Sequence, residues 1–432
     1  MPLISLQDLK CLTFGVLLRG LAYAAISTYT VAEGGRHLLE STVVRNSQSV
    51  LMLREDAFRW KHGLAPLGTE TIPVVALAEV ALSAAARLRA TLPIAAVLSD
   101  EIFFLMLSSA ANALALLLIT AEAPLSAAPA AWTWLNPAMV LSCTLSPLPS
   151  AELLLLVGVA YSATQRRMWA APLFGLLLCA HPTYAALAPA TWCLWRFGAA
   201  PEKKEGAAGP LLFNWVGAVA GGLAVCAALA LRPSGLPDPP RALTLTPVEL
   251  LQGAVKGLSF LANPHGSFQG SSYEPSLGVL WYMDAQVFSA FRSYVAALVL
   301  AQPFLLMAPL CIKFGPTQPR VLFDVAAALV LLFKPALTLC DLSIAIGLLS
   351  RHGVVVSRMR NLPLILLGLL AAATLSPLML QLWLSRGTGN ANFLFFQGLA
   401  LWIFASLGLV EFVKAAGGFC QICATMCVVA LF

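Results

Sequence analysis

Apolar stretches long enough to cross a bilayer recur along this sequence, with too few charged residues between them to hold a surface in water. A hydrocarbon core of about 30 Å takes roughly 20 apolar residues per helix. The first such stretch covers residues 9–32, and others are predicted near 72–88, 92–120, 132–148, 151–165, 168–180, 183–198 and 210–231. More follow near 277–312, 321–350, 361–384 and 392–416, with an apolar tail at 418–432. Of the 432 residues, 59% are hydrophobic and 11% charged, and mean hydropathy is +0.83. Soluble domains carry about 25% charged residues. The pattern predicts an all-α, polytopic membrane protein with about 11–12 transmembrane helices, built as a single membrane domain over 1–432.

The 9–32 stretch is too long for a removable signal peptide and lacks a small-residue cleavage site, so it reads as a signal anchor. Arg19 interrupts it, and a charge at that depth is expected to face protein or a cavity. Basic residues in short loops set orientation. The clusters Arg166-Arg167, Arg196 with Lys203-Lys204, Lys313 with Arg320, and Arg351, Arg358 and Arg360 are assigned to the cytosolic side. That leaves lumenal loops at about 33–70, 233–276 and 385–391. Within 233–276, Thr246, Pro247 and Glu249 read as the capped start of a short amphipathic helix. The net charge of +6 is scattered, so it speaks of topology and not of nucleic-acid binding.

No soluble-enzyme motif is present: neither GxGxxG, nor a P-loop, nor HExxH. Cys420 and Cys423 have CxxC spacing but lack a second pair, so no metal and no cofactor is expected. Attention therefore turns to polar residues in apolar surroundings. Asp100-Glu101 reads as the first turn of a helix. Lys334 and Asp341 fall seven residues apart, two turns along one helical face, as an ion pair or a headgroup contact. Trp281-Tyr282 reads as an interfacial aromatic belt. The turn Gly387 to Phe393 carries two amides, with Asn390 placed to cap the following helix. A helix N-terminus with free N–H groups can also take phosphate or sugar hydroxyls. In the first loop, Asp56 or Glu55 could serve as the general base of a polyprenol-dependent glycosyltransferase. A secondary transporter is disfavoured because no inverted repeat is seen.

Several short motifs, in order, resemble the PIG-U family, the multispanning subunit of the GPI-anchor transamidase. They are Leu135-Asn136-Pro137 with Leu141-Ser142-Cys143, Leu277-Gly278 with Trp281-Tyr282, Phe333-Lys334 with Asp341, Arg358-Met359-Arg360-Asn361, and the Asn390–Phe393 turn. Gly63–Pro66 and Thr69–Pro73 are similar to the family's first-loop pattern, although Thr69 and Leu67 stand where a histidine and a tyrosine are expected. The resemblance implies a membrane fold related to the GT-C type glycosyltransferases, without transferase activity. It implies a non-catalytic subunit in the endoplasmic reticulum membrane that binds the GPI glycolipid and scaffolds other subunits, a caspase-like catalytic chain among them. Carried to this sequence, the GPI-binding residues are Asn390, Asn392, Phe393, Asp341, Lys334 and Trp281. The alternative is a GT-C type GPI mannosyltransferase using dolichol-phosphate-mannose. The segment Asp56–Gly63 resembles that enzyme's pattern, but the D-x-D expected just upstream is replaced by Asn46-Ser47-Gln48-Ser49.

Overall fold

The computed structural model describes residues 14–22, 100–122, 148–165, 169–198, 275–288, 290–335, 337–384 and 386–417, with isolated positions at 24, 55, 58, 136 and 140. Asp56, nearly all of the 33–70 and 233–276 loops, the Thr246 capping box and the 418–432 tail with Cys420 and Cys423 lie outside the described residues. Within them the secondary structure is helical, with no strand.

In chain order the helices are α1 (Asp100–Glu122), α2 (Leu148–Thr164), α3 (Ala170–Ala180) and α4 (Ala188–Phe197), the last entered through a 3-10 turn at Pro182–Leu187. Then come α5 (Leu280–Gln286), α6 (Arg292–Phe314), α7 (Pro319–Leu332), α8 (Leu339–Ser350), the single turn α9 (Gly353–Val356), α10 (Leu362–Leu384) and α11 (Ala391–Gly417). Among the described residues, three segments are long and apolar enough to cross a membrane: Ala297–Phe314, Leu362–Leu384 and Ala391–Gly417. Leu364, Leu367 and Leu370 stay exposed along α10. A helix that leaves leucines bare in this way needs lipid around it.

At the centre sits α7, whose residues from Val321 to Leu332 are all buried. A helix apolar on every side belongs in an interior, and α2, α4, α6, α8 and α11 surround this one. Its 14 residues give a length of about 21 Å, short of the roughly 30 Å core. The chain then breaks at Phe333–Leu337 and returns as α8, so 321–350 is not one span but a hairpin of two short helices. Pro335 is the local cause, since proline disfavours helix at the residue before it and has no N–H to donate. The stretch 277–312 is likewise divided, into α5 and α6, with Val287 extended at the break.

Non-helical backbone inside a membrane protein must find its hydrogen bonds within the protein. At the hairpin tip it does. The Leu337 carbonyl accepts the Leu277 N–H at 3.2 Å, and the Lys334 N–H donates to the Leu331 carbonyl at 3.3 Å. The Trp402 indole N–H of α11 donates to the Leu332 carbonyl at 3.2 Å, while its ring meets Phe333 edge-on at 5.2 Å. A Cβ on Gly278 would run into the Pro335 carbonyl oxygen, so only glycine lets residues 275–279 lie against the tip.

Two sets of buried charges hold the hairpin. At its tip, Lys334 pairs with Asp341 across the break. At its open end, Asp324 near the start of α7 accepts from His352 Nε2 at 2.9 Å, with Arg320 at 3.6 Å and Arg351 at 3.7 Å. The first helical stretch follows the same rule: Arg19 is buried and donates to the Gly15 carbonyl at 3.1 Å.

Candidate functional site: an aromatic and amide cluster on a buried ion triad

The Lys334 ammonium is the deepest element of the site. It lies 3.0 and 2.9 Å from the two Glu152 carboxylate oxygens of α2 and 2.8 Å from Asp341 Oδ1. The Tyr184 ring faces it at 6.0 Å. Asp341 is fixed from the other side by a reciprocal cap. Its Oδ2 accepts the Thr338 N–H at 2.9 Å and the Thr338 hydroxyl at 2.8 Å, and Thr338 Oγ1 accepts the Asp341 N–H at 3.3 Å. A carboxylate in the first turn also suits the positive end of α8.

This arrangement alters the sequence reading of Lys334 and Asp341. They do not share one face of a continuous helix. They meet because the helix breaks between them, and Glu152 is the third member that the sequence did not announce. All three groups are buried, and the ammonium is enclosed by carboxylates. The triad is a clamp that ties α2, the hairpin tip and α8 together.

Trp281 belongs to the protein interior and not to an interfacial belt. Only 5% of it is exposed, its indole N–H donates to the Ser276 carbonyl at 2.9 Å, and its ring stacks on Trp383 of α10 at 6.0 Å. The next residue faces the other way. Tyr282 stacks on Phe395 of α11 at 4.2 Å with an interplanar angle of 20°, and its hydroxyl is 2.5 Å from Asn392 Oδ1. Residues 276–282 therefore form a strap from the hairpin tip to the α10–α11 turn.

The turn itself is built as its composition predicts. Gly387 has φ +63, the left-handed region that glycine occupies without a Cβ penalty. The Thr388 and Gly389 N–H groups both donate to the Leu382 carbonyl, closing α10. Asn390 Oδ1 accepts the Asn392 N–H at 3.1 Å, the capping bond expected of an N-cap asparagine. Asn390, Asn392 and Phe393 are exposed. The expected site residues thus fall in two groups: an exposed turn joined to the strap by Tyr282, and a buried clamp behind it. Tyr282, Trp383, Phe395 and Glu152 complete the arrangement. Tyr282 could be found as Trp281's neighbour, but nothing local in the sequence points to the other three. Glu55, the other candidate base, is exposed.

Alongside the hairpin, between it and the α10–α11 pair, lies an apolar cavity of about 420 Å³. Asp341 is its one charged lining residue, and Leu337, Leu342, Leu366 and Leu409 are among the others.

The family model described as GPI transamidase subunit PIG-U matches residues 241–401, a stretch that contains the strap, the hairpin, the exposed turn and the start of α11. A Schizosaccharomyces pombe protein named GPI transamidase component GAB1 homolog is 31% identical over 162 residues, covering 37% of this chain and 40% of that protein. The Mus musculus and Homo sapiens proteins named GPI-anchor transamidase component PIGU are each 23% identical over 121 residues, 28% of either chain. The alignments span well under two thirds of these relatives' own lengths. The matches to the family model and to curated relatives both support the PIG-U family for this chain.

Proposed function

We propose that this chain is a multispanning, non-catalytic subunit of a GPI transamidase in the endoplasmic reticulum membrane. Its role is to hold the GPI glycolipid and to scaffold the other subunits, including a caspase-like catalytic chain that cleaves the substrate protein. The observation that carries the reading is where the family match falls. Residues 241–401 include the Tyr282–Asn392 contact and the Lys334–Asp341 pair of the clamp. The Asn390–Phe393 turn offers amides and an exposed ring at a helix N-terminus, groups suited to sugar hydroxyls and a phosphate. Lys334, Asp341 and Trp281 act from behind, by fixing the hairpin tip and strap on which that turn rests.

A mannosyltransferase is not favoured: the matched relatives carry transamidase names. Depleting the protein and following both GPI lipids and a GPI-anchored reporter separates the two activities. The transamidase reading expects complete GPI to accumulate beside an uncleaved reporter precursor. Accumulation of incompletely mannosylated GPI would overturn it.

A further inference from the structure

The apolar cavity beside the hairpin is lined in part by Met359, which two exposed arginines flank in sequence, and the two features together point to a ligand. Its walls are Ala345 and Leu349 of α8, Ile365 of α10 and Ala405 and Phe412 of α11, with Met359 on the segment that joins α9 to α10. From Asp341 to Ser350 the α8 wall runs about 14 Å at 1.5 Å per residue. That is close to half of the roughly 30 Å hydrocarbon core, the depth that one lipid tail fills.

Met359 is flanked in sequence by Arg358 and Arg360, both exposed. Among the described residues neither guanidinium has an ion-pair or side-chain hydrogen-bond partner. This sets them apart from the other basic groups nearby. Arg320, Arg351 and His352 converge on Asp324, and Lys414 holds Glu411 at 3.2 Å. From Arg351 to Asn361 the sequence contains no acidic residue, and α10, a candidate span, begins at Leu362. Two guanidiniums without a side-chain partner among the described residues thus directly precede a candidate span, the sequence position expected of a headgroup contact, and they flank Met359 of the cavity wall.

We propose that this cavity holds an anionic glycerophospholipid of the membrane, one acyl chain between the hairpin and α10–α11 and its phosphate on Arg358 and Arg360. The lipid would wedge the α7–α8 hairpin against the α10–α11 pair. The cavity's α10 and α11 walls lie toward the opposite end of those helices from the Asn390 turn, and it meets the glycolipid site proposed above only at Asp341 of the clamp, so the phospholipid contact is distinct from the exposed turn's.

The test uses the full chain in its purified complex, reconstituted in nanodiscs that contain a phosphatidylinositol with a photoreactive group near the end of one acyl chain. After irradiation, adducts are mapped by peptide mass spectrometry. The expected result is labelling of cavity residues such as Leu349, Met359 or Ala405, suppressed by unlabelled phosphatidylinositol and not by phosphatidylcholine. Arg358→Gln with Arg360→Gln should weaken labelling about tenfold or more, the scale expected of two arginines at an anionic headgroup. Both residues are exposed, so the variant should elute as the wild type. Ala405→Phe, which fills the cavity, should abolish labelling whatever the headgroup. Three results would overturn the proposal: adducts confined to the outer face of α10 at Leu367 and Leu370, equal competition by phosphatidylcholine, or recovery of the glycosylated lipid instead of a phospholipid from the cavity.

Discussion

The Lys334 ammonium lies 2.9 Å from a carboxylate oxygen of Glu152, a residue 182 positions earlier in the chain. With Asp341 at 2.8 Å, this makes a buried triad in which one cation serves two acids. Removing the cation alone would leave both acids buried without a partner. Breaking a buried pair in this way costs about 3–5 kcal/mol. Lys334→Met should therefore lower the temperature at which the detergent-solubilised protein loses its monodisperse elution peak. Adding Glu152→Gln should recover part of the loss, because the Asp341 carboxylate keeps its Thr338 donors. A double-variant loss equal to the sum of the Lys334→Met and Glu152→Gln losses would show that the two sites are not coupled.

Gly278 and Gly353 offer a paired test of the hairpin. A Cβ at Gly278 meets the Pro335 carbonyl oxygen, whereas one at Gly353 meets nothing within 4 Å. Gly278→Ala should cost about 1–3 kcal/mol, as overpacking of a tight contact does. Gly353→Ala should be neutral or slightly stabilising, since it removes unfolded-state freedom without a clash. Heating both variants and following the fraction that stays soluble compares them directly.

Tyr282 makes two separable contacts, a stack on Phe395 and a hydroxyl contact with Asn392. Tyr282→Phe keeps the first and removes the second. Both Tyr282→Phe and Asn392→Ala should change stability by only about 0.5–1.5 kcal/mol, the net worth of one hydrogen bond. If the turn touches the glycolipid, surface display of a GPI-anchored reporter should fall further for Asn392→Ala than for Tyr282→Phe. Equal, small effects would reduce Asn392 to a structural partner of the strap.

Asn390 caps α11 through its side-chain oxygen. Asn390→Ala should cost about 1 kcal/mol, while Asn390→Asp preserves the acceptor and should be tolerated. Asn390→Lys removes the cap and also sets a cation at the positive end of the helix, worsening the loss by about 0.3–1 kcal/mol. Thermal stability of the three variants should rank Asp above Ala above Lys.

What the sequence made legible was local. The Asn390 cap, the glycine turn before it and the ends of α10 and α11 follow from capping chemistry and an unbroken apolar run, and each stands within a residue or two of its expected place. The Lys334-Pro335 interruption was also visible. That it divides a 321–350 stretch into two short helices was not, because length and hydropathy are the same for one long span and a tight hairpin. Partners distant in sequence were the least accessible. Glu152 is a single acid in an apolar helix, and only the fold brings it to Lys334. Trp281 and Tyr282 look like an interfacial pair until Trp383 and Phe395 close over them. Hydropathy reports that a residue is apolar, and does not distinguish burial in protein from exposure to lipid.

The central claim is membership of a transamidase complex, and the subunits that accompany the protein test it most directly. A tagged chain expressed at its native level, solubilised in mild detergent and captured, should bring down a caspase-like cysteine protease subunit with further membrane subunits in near-equal amounts by mass spectrometry. Recovery of the chain alone, or with one small stabilising partner, would contradict the account.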